Sequence, residues 1–148
     1  MNLKAIRSHL LTNLKIRAAL SQYDFGSGNV PAVFLKSEPP PDAKATFITI
    51  EPSGGVRRNS RGIGIAKQDI IIGCHMNRQG SHQDGRVLAD RCGETLNDAV
   101  IHGVDGEKYS VTAGLPSEGL DSGGFPLFEI PATITQYGGT YHGDRCGI

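Results

Sequence analysis

Three consecutive prolines, Pro39 to Pro41, divide this chain at a point no helix can cross. Each proline fixes φ, lacks an N–H and holds the residue before it out of the α region, so Glu38 to Asp42 is a stiff extended connection. Any helix must lie wholly on one side of it. The apolar residues on both sides fall mostly in runs of strand length, separated by segments that draw on the chain's 20 glycines.

Ala45 to Glu51 alternates, with Phe47 and Thr49 on one face and Thr46, Ile48 and Ile50 on the other, the period of a half-buried strand that Pro52 ends. Gln68 to Met76 contains Ile70, Ile71 and Ile72, a β-branched run that suits a strand covered on both faces. Val30 to Leu35 reads as a short strand with Pro31 at its start or at a sheet edge. Tyr109 to Ala113 alternates as another, and Gly114 to Gly124 reads as a polar loop. Pro126 to Tyr137 reads as a final strand interrupted by Pro131.

Two stretches have helical period. Leu3, Ile6, Leu10 and Leu14 recur at three- and four-residue steps, which predicts one helix from Asn2 to about Leu20, ending before the turn residues of Tyr23 to Asn29. Val87, Leu88, Cys92, Leu96, Ala99 and Val100 predict a second, capped by Ser81 and running to His102, with Gly103 after its end. Gly85 and Gly93 each weaken that helix by about 1 kcal/mol relative to alanine, so packing must supply the difference. A close helix-to-sheet or subunit contact at Gly93 is one reason to keep it. Asp90, Glu94 and Asp98 at four-residue steps line one face, either solvated or set against a basic neighbour.

This order predicts an α+β fold: a single mostly antiparallel sheet of about four to five strands, two helices packed on one face, and a long hairpin arm. Residues 1–137 form one domain, and 138–148, rich in glycine, form a flexible C-terminal tail.

Fifteen Lys+Arg balance fifteen Asp+Glu, which argues against a protein that coats nucleic acid or an anionic membrane, since both need a surplus of cations. No apolar run approaches the roughly 20 residues of a membrane span, and the expectation is a soluble, cytosolic chain. Cys74, His75, His82, Cys92, His102, His142 and Cys146 are metal-ligand types, yet no CxxC or HxxxH pair occurs, so no metal or other cofactor is expected. Cys74 and Cys92 read as small hydrophobes. Cys146, near the terminus of a chain with three cysteines, is a candidate for a disulfide between subunits. No GxSxG elbow is present, and Gly62 to Lys67 precedes a strand where a phosphate loop would open a helix, so no catalytic residue is assigned. The strongest charge feature is the arm Ser53 to Lys67, where Arg57, Arg58, Arg61 and Lys67 concentrate cations. It is either a solvated hairpin tip or a surface for a carboxylate-bearing subunit or a nucleic-acid backbone.

The layout resembles the tail terminator, or tail completion, family of tailed bacteriophages, of the minor tail protein U type. The cues cover about the first 135 residues: the helix Leu3 to Leu20, the segment NVPAVFLKSEPPPDAKATFITIEPSGG, the strand QDIIIGCHM, the helix GRVLADRCGETLNDAVIHG and the late strand PLFEIPATITQY. The tail YHGDRC has no counterpart in that pattern. The resemblance implies a structural virion protein without enzyme activity: a homohexameric ring that caps the tail tube, ends tail polymerisation and joins the tail to the head connector at the neck. It implies contact with tail tube protein, with tail sheath protein where there is one, and with DNA in the channel, and assembly in the host cytoplasm without a membrane. A head-completion or stopper protein of the neck is the alternative within this class. A small metal- or nucleic-acid-binding module is the alternative outside it.

Overall fold

Two long antiparallel strands carry most of the remaining architecture. In the computed structural model, which describes residues 3–35, 40–44, 46–58, 65–76, 82–103 and 106–137, the elements run α1 Leu3–Leu10, α2 Leu14–Ala19, β1 Gln22–Asp24, β2 Asn29–Pro31, β3 Val33–Phe34, β4 Phe47–Pro52, β5 Arg57–Arg58, β6 Ile65–His75, α3 His82–Leu96, β7 Val100–His102, β8 Lys108–Ala113, β9 Ser117–Leu120 and β10 Pro126–Tyr137. β6 and β10 pair along eleven residues, from Leu127 opposite His75 to Tyr137 opposite Ile65. Each is long enough to hold two partners on its other edge. β6 takes β4 along Ile70 to His75 and β5 along Ala66 and Lys67. β10 takes β9 along Pro126 to Glu129 and β8 along Ala132 to Tyr137.

The result is an eight-stranded sheet in the order β3-β4-β6-β10-β8-β7, with β5 and β9 as side branches and β1-β2 as a separate two-stranded ribbon. The β3–β4 pair is parallel, which makes this curled sheet mixed. The expected fold class is therefore corrected: the described residues are mostly β, with eight strands in the sheet in place of four to five and three helices instead of two. The undercount has a physical cause. A strand of eleven or twelve residues looks like one pairing partner in sequence, yet its edge can be shared end to end by two short strands.

Pro131 marks the division on β10. Its carbonyl accepts from the Gly114 N–H at 2.7 Å, and in a strand the N and C=O of one residue face the same edge. Its missing N–H thus faces the gap between the end of β8, opposite Ala132, and the start of β9, opposite Glu129. The strand continues through the proline, contrary to the expected interruption.

The helices pack on one face, over Ile48, Ile50, Ile70, Ile72, Cys74, Phe128, Ile130 and Ile134, all buried. Along β6 the even-numbered residues are buried while Lys67, Asp69 and Ile71 are exposed or half-buried. The isoleucine run is therefore covered fully on one face, not on both. The predicted N-terminal helix is broken. Asn13 leaves the helical region and its Oδ1 accepts from the N–H groups of Lys15 and Ile16, capping a new helix. Leu14, expected in the core stripe, is turned outward and is 76% exposed. The second predicted helix stops early as well. Asp98 takes φ +62 after Leu96, and Val100 to His102, expected as helix, form β7 on the β8 edge.

Tyr23 to Asn29, expected as a turn, forms the tip of the β1–β2 hairpin. The Asp24 carboxylate accepts from Gly26 and Gly28, both at positive φ. Gly114 to Gly124, expected as a loop, contains β9.

Candidate assembly interface

The hairpin from β4 to β6 places the described part of the basic arm. β5 pairs back onto β6, so Arg57 lies opposite Lys67 and Arg58 opposite Ala66. Two cations opposite one another repel, and Asp69, two residues along β6, relieves this. Its carboxylate takes both guanidinium nitrogens of Arg57, at 2.8 and 3.3 Å, and the Thr133 hydroxyl at 2.7 Å. The hydrogen bond from Arg57 and that from Thr133 hold the Asp69 carboxyl below the usual carboxylate range. Arg57 is thus committed within its own subunit. Sequence reasoning missed Asp69 because it lies twelve positions from Arg57 and only the hairpin register joins them. Lys67 remains exposed on the same edge. Arg61, Cys146, His142 and the tail 138–148 lie outside the described residues, as does the side chain of Arg58.

The His and Cys residues separate in space. Cys74 and Cys92 meet, Sγ to Sγ at 4.0 Å, buried between β6 and α3. The hydrogen bond to Cys92 and its own burial push the Cys74 thiol well above its usual range, so Cys74 is packed as a protonated thiol. Among the described residues no group of three His, Cys, Asp or Glu side chains is placed to hold a metal. No helix among them is long and apolar enough to cross a membrane.

His75 sits on the opposite face of the sheet from the helices. Its Nε2 is 3.0 Å from the Thr49 hydroxyl, and its ring stacks on Phe47 at 4.5 Å and 14°. The ladder continues from Phe47 to Phe34 on β3 and on to Tyr23 and Phe25 of the ribbon. Burial lowers the affinity of His75 for a proton, against the smaller attraction of Asp121. A folded pKa below the ordinary 6.5 means the unfolded chain binds the proton more readily. The contribution is fully present above pH 6.5 and is lost as pH falls through and below that value. Urea titrations between pH 7.5 and 5 should show stability falling with acidification, with a slope no steeper than about 1.4 kcal/mol per pH unit for one proton. His75→Gln should flatten this slope. An unchanged slope in that variant would assign it elsewhere.

Among the exposed large apolar side chains, which include Leu14, Val56, Val100 and Tyr137 elsewhere on the surface, two groups lie at the ends of the row of strands from β3 to β9. One is the ribbon, with Phe25 45% and Val30 42% exposed. The other is the segment around β9, with Leu115 88% and Leu120 63% exposed and Phe125 beside them. Their separation follows from register: Val33 opposes Ile48, which opposes Cys74, which opposes Phe128, which opposes Glu118. Four strand spacings, roughly 19 Å along the sheet, separate the two outer strands. The apolar patches therefore stand at opposite edges of one row of strands. At the β9 edge Glu118 is paired with Arg86 at 3.0 Å and with His82 at 3.6 Å, which ties α3 to that edge.

No protein-family model matches the chain, and no curated protein is significantly similar to it.

Proposed function

We propose that this chain is a structural ring-forming protein of a tailed-phage neck, a tail terminator that caps the tail tube, ends its polymerisation and joins it to the head connector. The observation that carries the ring is the pair of unlike apolar patches on opposite edges of the sheet. A contact between two different patches is heterologous, and copies joined that way either close into a ring or grow without limit. Uncovered strand edges with apolar side chains are also what a protein protects by pairing or covering. The particular ring, a hexamer at the phage neck, is supported by the sequence resemblance described above. In this reading the exposed Lys67 faces tube, sheath or DNA, while Arg57 serves its own hairpin.

Light scattering on the purified chain, across concentration and with and without reductant, should give a discrete multimer near six subunits. Loss of that multimer on reduction would assign a covalent part to Cys146. A mass that rises without limit, or a monomer throughout, would overturn the closed ring. Virions assembled without this chain should carry tails of excess and irregular length. Normal-length tails without heads would instead assign the stopper role.

A further inference from the structure

We infer that a groove on one flank of α3 receives helix α2 of a second copy of this chain. The inference rests on the ring reading and names the contact that would close it.

The groove, about 260 Å³, is lined by Ala89, Gly93 and Asn97 of α3, Leu115 and Pro116 of the following connection, and two acids, Asp90 and Glu94. It is smaller than the roughly 300–1,000 Å³ of small-molecule sites, and suits one or two protein side chains. Gly93 opens it: a Cβ built there meets nothing within 4 Å. Asp90 and Glu94 are exposed and four residues apart, so they repel one another on the helix. Among the described residues neither forms an ion pair.

α2 carries the complement. Leu14 is 76% exposed, and Ala18, four residues on, shares its face and is exposed too. Lys15 and Arg17 flank them, both exposed. An apolar knob between two cations thus matches an apolar groove beside two carboxylates.

The two surfaces point away from each other on one subunit. α2 is tied to α3 at Thr95, whose hydroxyl oxygen accepts from the Asn13 side chain at 3.0 Å. Gly93 and Thr95 are two residues apart, about 200° around the helix. A subunit therefore cannot place its own α2 in its own groove, whereas a neighbour can. The groove also shares its flank with the apolar segment around β9, through Leu115, so both levels of contact fall on one side of the subunit.

The test uses two full-length variants, Asp90→Lys/Glu94→Lys and Lys15→Glu/Arg17→Glu, sized by light scattering beside the wild type. Each alone should associate at least about tenfold more weakly. Mixed in equal amounts they should regain the wild-type mass, because altered helix meets altered groove and native meets native around an alternating ring. Gly93→Trp should block association while leaving the thermal unfolding of the monomer in place. A wild-type multimer whose mass both charge variants retain, or a mixture that stays dissociated, overturns this contact and leaves the ring standing. A wild type that stays monomeric overturns the ring itself.

Discussion

Truncating Ile72 to alanine is expected to lower the stability of the fold by about 2–5 kcal/mol, while the same change at the adjacent Ile71 should cost about 1 kcal/mol. Ile72 lies at the centre of a row in which Ile50, Ile72 and Ile130 face the helices from three neighbouring strands, all fully buried. Removing its methyl groups leaves a cavity that paired strands on both sides prevent from collapsing. Ile71 points to the other face, between Glu51 and Pro131, and is half-buried. Urea unfolding of the two variants measures the difference directly. Equal losses would mean that β6 is covered on both faces, as its composition suggested, and that the helices do not define a single core side.

The second large effect contrasts two glycines of one helix. Gly85→Ala should destabilise the protein, while Gly93→Ala should stabilise it by about 0.5–1 kcal/mol, the usual advantage of alanine in a helix interior. A Cβ at Gly85 would stand 2.4 and 2.6 Å from ring carbons of Phe128 and 2.9 Å from the Met76 Cγ. Phe128 is buried in the core and cannot swing aside, so overpacking costs about 1–3 kcal/mol and exceeds the helical gain. Gly85 is therefore the site of close helix-to-sheet approach. Gly93 faces the groove, so its substitution should strengthen the monomer while altering association. A Gly85→Ala variant as stable as the wild type would show that α3 does not approach β10 this closely.

Alternation made β4 readable over nearly its full length, down to the opposed faces of Phe47 and Ile48, because period two is a property of adjacent residues. The same holds for β8 and for the helical stretch that became α3. The two helix ends were misread for one reason. Leu14 continued a stripe and Val100 continued another, but a local cap at Asn13 and a left-handed residue at Asp98 redirected the chain. Asn13 and Asp98 are residue types that favour such breaks. The apolar periodicity around them masks that signal.

The candidate interface was less legible than the fold. Arg57, Arg58, Arg61 and Lys67 stood out as a charge cluster, yet the first of them is tied to Asp69 by a register that depends on the pairing of β5 with β6. The acidic stripe of α3 was visible as Asp90 and Glu94, and Gly93 as an unexplained glycine. Nothing in the sequence placed Leu115 and Pro116 beside them, or turned Leu14 outward on another helix.

The amino-acid sequence by itself determined the balance of charge and the placement of β4, β6, β8, β10 and most of α3, consequences of near-neighbour sterics and patterning. Tertiary structure alone decided that β6 and β10 each share an edge between two strands, and that the described residues are mostly β. It also decided which arginine is neutralised and which apolar side chains face outward. Those outcomes depend on hydrogen bonds and packing between residues from about ten to more than eighty positions apart, and a one-residue change of register would reverse every face they set.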